Sequence, residues 1–251
     1  MVKGIKVIEK QEFVSDIVKR DYRTAQVFRS HGIEFCCGAR FPLELVCSLK
    51  GLDLQTILAE LDRATRQISI SNTLNFEDWD LSFLADYIVH IHHEYLRSML
   101  PATLVSIQQF SEGHRKKFSY LPDLVVEFSA LAKELLNHIQ YEDEIIFPYI
   151  KQIDFAHKGR ESYASLLVRT LSKPVEEVMQ HEHKFVEDSL ARIRELTLHY
   201  SVPPDACTSH KVSFLTLQEV DHDIMQHLYL ENDILFPKAI LMEKELLKNN
   251  Y

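Results

Sequence analysis

A chain of 251 residues with 46% apolar residues is long enough to bury a real core, and its formal net charge of −9 argues against a surface that binds nucleic-acid phosphates. Six glycines and eight prolines are too few for an all-β fold with many turns, and no apolar run approaches the roughly 20 residues that span a bilayer. The four cysteines lack the spacing of a disulfide framework. We therefore expect a cytoplasmic, largely helical protein from a reducing compartment.

Residues 1–70 predict a small helical domain. Its helical patterns cover 15–32, 42–51 and 53–68. Gly32 and Gly51 act as stop signals, and Asp53 is the expected N-cap of the third helix. The polar stretch 69–80 has no helical period and predicts a linker to a second domain, residues 78–251.

Two adjacent cysteines, Cys36 and Cys37, lie between Gly32 and Gly38 in the stretch HGIEFCCGAR. Neighbouring cysteines rarely bond to each other because the geometry is strained. Two interpretations stay open. Either the thiols are buried and inert, or the turn that the glycines favour exposes them for reaction.

Four long helical patterns follow, at about 80–110, 122–153, 174–199 and 207–247. Short breaks separate them, so consecutive helices are expected to run antiparallel in an up-down bundle. The second and fourth helices then run in the same direction, and equivalent positions on them face each other across the core. Pro148 and Pro237 predict that these two helices kink or end one to two turns beyond Glu142 and Glu231.

The second and fourth helices carry nearly the same eleven residues, HIQYEDEIIFP at 138–148 and HLYLENDILFP at 227–237. Each copy places a histidine and a glutamate four residues apart, hence on one helix face: His138 with Glu142, and His227 with Glu231. On an exposed helix such a pair stabilises by only about 0.2–0.5 kcal/mol. A glutamate buried in an apolar bundle instead needs a partner or a metal ion, because burying its charge costs several kcal/mol.

Histidines on the other two helices complete a candidate dinuclear metal site. The first helix carries His90, His92 and His93, the third carries His181 and His183, and His114 follows the first helix. Imidazole together with carboxylate suits Fe, and also Zn or Mn. A histidine-rich set leaves a coordination position for a small ligand such as O₂ or NO.

The motifs HGIEFCCGAR, HIHHEYLRSMLP, HIQYEDEIIFP, EVMQHEHKF and HLYLENDILFP together resemble those of the repair-of-iron-centres family, di-iron proteins that repair iron-sulfur clusters. The resemblance covers nearly the whole chain. It implies an all-α fold, a four-helix up-down hemerythrin-like bundle preceded by a small helical domain. It also implies an oxo-bridged centre of two Fe ions bridged by Glu142 and Glu231. The histidine ligands that the resemblance implies are His93, His114, His138, His183 and His227.

The resemblance also assigns the remaining features of the chain. It implies that the thiols of Cys36 and Cys37 take part in redox chemistry or iron handling, although Gly38-Ala39 stands where the family usually has two glycines. The other histidines are expected on the surface or beside the ligands: His31, His90, His92, His157, His181, His199, His210 and His222.

The implied function is repair of iron-sulfur clusters damaged by nitric oxide or oxidants. Either the di-iron centre donates iron to a damaged cluster, or it acts as an enzyme that reduces NO. The rival from another class is a hemerythrin-like protein that binds or senses O₂ or NO without turnover. A purely structural bundle leaves the repeated His-x-x-x-Glu unexplained. The expected partners are damaged iron-sulfur proteins and NO or O₂, with neither nucleic acid nor membrane, and a homodimer stays open.

Overall fold

The computed structural model describes residues 8–35, 41–66, 74–159 and 182–248. Within these ranges the regular elements are helices, and the pairing of extended backbone is limited to an isolated bridge between Phe13 and Pro42. The predicted all-α class is therefore confirmed. The chain divides into two compact units, residues 1–71 with 200–218 and residues 72–199 with 219–251. The predicted domain limits, 1–70 and 78–251, stay a prediction.

The first unit contains four short helices around an apolar core. They are α1 (Val14–Arg20), α2 (Thr24–Ser30), α3 (Leu43–Lys50) and α4 (Leu54–Thr65). Gly51 ends α3 with a φ of +66°, and the Asp53 carboxylate caps α4 by accepting a hydrogen bond from the Thr56 amide at 2.8 Å, both as predicted. The core is built from Val14, Ile17, Phe28, Leu43, Ile57, Leu61 and Val212, among others.

The stretch 15–32 forms two helices where the sequence indicated one apolar stripe. The Asp21 carboxylate accepts hydrogen bonds from the Arg23 amide at 3.1 Å and from the Arg23 Nε at 2.9 Å. A short polar side chain that binds nearby backbone competes with helical hydrogen bonding, so α1 ends before Asp21 and α2 begins after Arg23. Cys36 and Cys37 lie outside the described residues.

The predicted linker 69–80 is shorter than its polarity indicated. Residues 69–73 lie outside the described residues, but Phe76–Asp78 form one turn of 3₁₀-helix. Phe76 and Trp79 pack against the apolar core of the second unit, with their ring centroids 4.7 Å apart. The end of this stretch is thus part of the bundle.

The second unit holds the predicted long helices, three of which contain a π-helical segment. In chain order the elements are α5 (Leu81–Tyr87), π1 (Ile88–His93), α6 (Glu94–His114), α7 (Leu121–Tyr141), π2 (Glu142–Ile146), α8 (Phe147–His157), α9 (Glu182–Leu196), α10 (Thr208–Tyr229), π3 (Leu230–Leu235) and α11 (Phe236–Lys248). Residues 174–181, the expected start of the third helix, lie outside the described residues, and residues of α10 before 219 belong to the first unit.

Contacts between these helices match an up-down arrangement. Helix α6 packs against α7 and α5 packs against α8, which is the pairing of an antiparallel hairpin. Helix α8 also packs against α11 and α7 against α9, so the C-terminal parts of the second and fourth helices lie side by side. The core where they meet includes Leu81, Leu84, Ile88, Phe147, Ile150, Leu235 and Phe236.

The prolines do not end the second and fourth helices. Pro148 and Pro237 each occupy the second residue of a new α-helical segment, directly after π2 and π3. Proline is tolerated in a first helical turn because its missing N–H would lack an intrahelical partner there. The helical path therefore continues, with a change from α to π hydrogen bonding instead of the expected kink or end.

None of the helices in the described part of the chain combines the length and the apolarity that crossing a membrane would require.

Candidate metal centre

Six predicted ligands meet in the interior of the second unit. His93 comes from π1, and His183 lies near the start of α9. The repeated segments supply the rest: His138 and Glu142 from α7 and π2, His227 and Glu231 from α10 and π3. All six side chains are buried, and Glu231, His93 and His227 have no exposed surface at all.

These residues form two groups of potential ligands that share both glutamates. One group joins His93 and His227 with Glu142 and Glu231, and within it the ligand atoms lie no more than 4.8 Å apart. The second group joins His138 and His183 with the same two glutamates under the same limit. The two histidines of a group touch through their Nε2 atoms, at 3.0 Å for His93 and His227 and at 3.1 Å for His138 and His183.

Each carboxylate directs one oxygen to each histidine pair. Glu231 Oε1 lies 2.8 Å from His227 Nε2 and 3.8 Å from His93 Nε2, whereas its Oε2 lies 3.6 Å from His183 Nε2.

Glu142 also directs one oxygen to each histidine pair, but here Oε2 faces His93 and His227, and Oε1 faces His138 and His183. Its Oε2 lies 3.5 Å from His93 and 3.9 Å from His227, and its Oε1 lies 3.1 Å from His138 and 4.0 Å from His183. An arrangement in which two carboxylates each approach two imidazole pairs fits the donor set that a doubly bridged pair of metal ions would need.

The unpaired polar atoms at this position fit a metal centre. Among the described residues, none of the four carboxylate oxygens of Glu142 and Glu231 accepts a hydrogen bond of good geometry, although all four are buried. Buried carboxylates without partners are costly, and binding to a metal ion removes that cost. Two imidazole nitrogens that bind one ion at about 2.1 Å and at right angles lie about 3.0 Å apart, which matches the contacts within each histidine pair. Imidazole with carboxylate oxygen suits Fe, Zn and Mn.

The metal-free cluster is strongly charged. Burial lowers the pKa of His93, but the hydrogen bond to Asp143 and the nearby negative charges of Glu231 and Glu142 outweigh burial and raise this pKa to about 9. Burial raises the pKa of Glu231, but the neighbouring His227 and His93 outweigh it, and the pKa lies well below its usual range. His93 thus holds a proton against the neighbouring carboxylates, and a metal ion would replace that proton when it binds.

The residue after each bridging glutamate orients a histidine from another helix. Asp143 Oδ1 lies 2.7 Å from His93 Nδ1, and Asn232 Oδ1 lies 2.7 Å from His183 Nδ1. Asp143 is itself fixed by a hydrogen bond from Arg97. A hydrogen bond at Nδ1 sets the ring orientation and leaves Nε2 for a metal ion.

The phenylalanine near the end of each repeat packs on the histidine that the same repeat orients. The ring of Phe147 stacks on His93 with centroids 5.4 Å apart and an interplanar angle of 17°, and Phe236 lies 6.1 Å from His183. Both phenylalanines are almost fully buried. Each copy of the repeated eleven residues therefore supplies a candidate histidine ligand, a candidate bridging carboxylate, an orienting side chain and an apolar cover.

Three π-helical segments coincide with the ligands, and the sequence analysis did not predict them. His93 ends π1, Glu142 begins π2 and Glu231 is the second residue of π3. Such segments are rare and recur at functional sites because an extra residue in one turn re-aims side chains. For π2 and π3, the signal that could have found them is the proline that follows six residues after each glutamate without ending the helix.

The structure does not bring His114 into this cluster. Helix α6 is 21 residues long, and at about 1.5 Å per residue it separates His114 from His93 by roughly 30 Å. The His114 Nδ1 lies 3.1 Å from the Phe110 carbonyl, and its ring packs against Phe110. We therefore remove His114 from the expected ligand set. Its local sequence, SEGHRKK, carried no distinctive feature.

Four of the other described histidines have separate partners. His90 is exposed beside Glu94, and His31 and His157 pair with Glu60 and Glu245. His92 differs because it is buried, next to the ligand His93, with Asp223 as its partner. His181 lies outside the described residues, as do the two adjacent cysteines.

Two family models match this chain. Residues 84–239 match the model described as "Hemerythrin HHE cation binding domain", and residues 10–65 match ScdA_N, described as "Domain of Unknown function (DUF542)". The chain is 31% identical over 225 residues to the "Iron-sulfur cluster repair protein YtfE" of Cronobacter sakazakii, which covers 88% of this chain and 93% of the relative. Proteins of the same name from Citrobacter koseri and an Escherichia coli strain are 32% identical over 224 residues, with the same coverage.

Proposed function

The chain belongs to the hemerythrin HHE cation-binding family and, within it, to the iron-sulfur cluster repair proteins, and on that premise we propose that it holds two iron ions and restores iron-sulfur clusters damaged by nitric oxide or oxidants. The observation that carries this proposal is the pair of carboxylates shared by two histidine pairs in a buried layer. We propose an oxo-bridged centre with His93, His138, His183 and His227 as terminal ligands, and with Glu142 and Glu231 as bridges.

The residues of the chain divide the work at this centre. Four histidines and two glutamates hold the ions, and Asp143 and Asn232 keep two of the rings in place. Phe147 and Phe236 cover those rings and limit the access of water. When bound, the two ions supply redox chemistry and a position for a small ligand such as NO or O₂.

Two routes to repair are compatible with this site. In the first, iron is the cargo and passes from the bundle to a damaged cluster, with the thiols of Cys36 and Cys37 assisting. In the second, the centre removes NO by reducing it. Both routes stay open, and the double-cysteine segment favours repair over gas binding alone, since a protein that only binds a gas has no use for it. The proposed partners are damaged iron-sulfur proteins in the cytoplasm, and a homodimer stays a prediction.

The test is reactivation of an enzyme whose [4Fe–4S] cluster has been damaged by NO. Iron-loaded wild-type protein is expected to restore its activity in the absence of free iron. The variant Glu231→Gln lacks a bridging carboxylate and is expected to restore little. The matched control is Asp233→Asn, which changes an exposed carboxylate two residues away in the same π segment.

The outcomes separate the two classes of function. Restoration by wild type and by Asp233→Asn, together with failure of Glu231→Gln, supports repair by the centre. Reversible binding of NO or O₂ without any restoration contradicts the proposal and leaves the hemerythrin-like binding protein.

A further inference from the structure

Three buried polar atoms beside the metal centre lack hydrogen-bond partners among the described residues: His92 Nε2, Asp223 Oδ2 and His227 Nδ1. His92 is 1% exposed and His227 is fully buried. The Asp223 side chain is 19% exposed and so links this group to the surface. The ligands His93 and His183 have orienting partners at Nδ1, whereas His227 has none among the described residues.

The structure places His92 next to both Asp223 and His227. His92 Nδ1 lies 3.0 Å from Asp223 Oδ1. Asp223 and His227 are four residues apart on α10, so both face the same side of that helix. The rings of His92 and His227 are stacked, with centroids 6.2 Å apart and an interplanar angle of 30°.

The hydrogen-bonding capacities of His92 Nε2 and His227 Nδ1 are complementary. Because Asp223 accepts from His92 Nδ1, the neutral His92 ring carries its proton there, and its Nε2 is an acceptor. Because His227 directs Nε2 to the metal position, its neutral ring carries its proton on Nδ1, which is a donor. One donor, His227 Nδ1, thus stands with one acceptor, His92 Nε2, and neither makes a direct hydrogen bond among the described residues.

We propose that His92 and Asp223 hold one buried water molecule against His227 Nδ1 and through it orient this ligand. The water accepts from His227 Nδ1 and donates to His92 Nε2, while Asp223 holds the proton of His92 on Nδ1. Two hydrogen bonds lie within the usual range for a buried water, and a bridge of this kind is nearly as favourable as direct contact. Through this water His92 orients the ring of His227, as Asp143 orients the ring of His93. The inference rests on the proposed function insofar as His227 is a metal ligand.

The experiment compares metal affinity in the full-length chain, with cobalt(II) as the probe metal and a chelator as competitor. His92→Phe keeps the ring volume but removes both nitrogens, and it is expected to bind cobalt about 10–100-fold more weakly. His92→Gln restores an acceptor near the position of Nε2 and is expected to bind more tightly than His92→Phe. The control is His90→Phe, an exposed histidine in the same π segment, which is expected to bind like wild type.

A second readout follows the ring proton itself. In the cobalt protein, one exchangeable imidazole N–H resonance shifted by the paramagnetic metal is expected to move in His92→Phe and to keep its position in His90→Phe. If His92→Phe does not fold, Asp223→Ala replaces it, with an expected loss of about tenfold in affinity. A crystal structure is expected to show the water between His92 Nε2 and His227 Nδ1.

Wild-type affinity and an unchanged N–H spectrum in His92→Phe would overturn this inference, as would an equal loss in His92→Gln and His92→Phe. A wild-type chain that binds no metal would instead refute the proposed function. In that case the crystal structure of the metal-free protein still decides whether the water is bound, and its absence contradicts the inference.

Discussion

Replacing Glu231 by glutamine distinguishes a shared bridge from a ligand of one ion. Glu231 Oε1 lies 2.8 Å from His227 Nε2 and its Oε2 lies 3.6 Å from His183 Nε2, so both histidine pairs are expected to lose a ligand in Glu231→Gln. His183→Ala removes a ligand from the second pair alone. The glutamate variant should therefore forfeit about twice as much metal-linked stability as the histidine variant.

The magnitude follows from mass action. At iron concentrations 100-fold above the dissociation constant, each occupied site stabilises the fold by about 2.7 kcal/mol, and two sites by about 5.4 kcal/mol. If the loss of a ligand weakens a site about 100-fold, a size that loss of an outer hydrogen bond can already reach, that site retains about 0.4 kcal/mol. His183→Ala then keeps about 3 kcal/mol of metal-linked stability, and Glu231→Gln keeps about 1 kcal/mol.

The assay is urea unfolding under anaerobic conditions, with and without ferrous iron, for each variant. Since each variant is compared with its own metal-free form, any effect of the substitution on the metal-free fold cancels. Asp233→Asn is the control and should keep the full metal-linked stability of wild type. Equal losses in Glu231→Gln and His183→Ala would show that Glu231 serves one ion, and the shared-bridge account would then be wrong.

Three further predictions concern the surroundings of the centre. Asp143→Ala and Asn232→Ala should each weaken iron binding about 10–100-fold in a chelator competition, because His93 and His183 lose their orienting partners, and a change in only one variant would contradict the equivalence of the two repeats. Phe236→Ala should lower the free energy of unfolding of the metal-free protein by about 3–5 kcal/mol in urea, since its side chain is 2% exposed; a loss below 1 kcal/mol would contradict its place in the core. The double variant Cys36→Ser/Cys37→Ser should keep its iron and visible spectrum but donate less iron to a damaged cluster, and unchanged donation would make the thiols structural.

Much of the bundle could be predicted from the sequence, because the features concerned depend on residues a few positions apart. The His-x-x-x-Glu spacing puts two side chains on one face of any α-helix, and its repetition on the second and fourth helices predicted that His138, Glu142, His227 and Glu231 share a layer. The structure brings these four residues together. The N-cap at Asp53 was predictable for the same reason, since it depends on residues a few positions apart.

Contacts between residues on different helices could not be predicted from sequence spacing, because these residues lie far apart in the chain. The difference between Asp143 and Asn232 in the two repeats looked like a conservative change. The structure shows that each of these side chains forms a hydrogen bond with a histidine ring from another helix. Phe147 and Phe236 looked like ordinary core residues for the same reason. His114 was implied by the resemblance alone, and the length of α6 alone rules it out of the cluster.

The most direct test of the account is the iron content of the purified full-length chain, measured together with its visible spectrum. If the two histidine pairs share Glu142 and Glu231 as bridges, the protein binds two iron ions per chain and shows the absorption of an oxo-bridged pair. A folded protein that takes up no iron, or one that takes up a single ion without this absorption, would contradict the account.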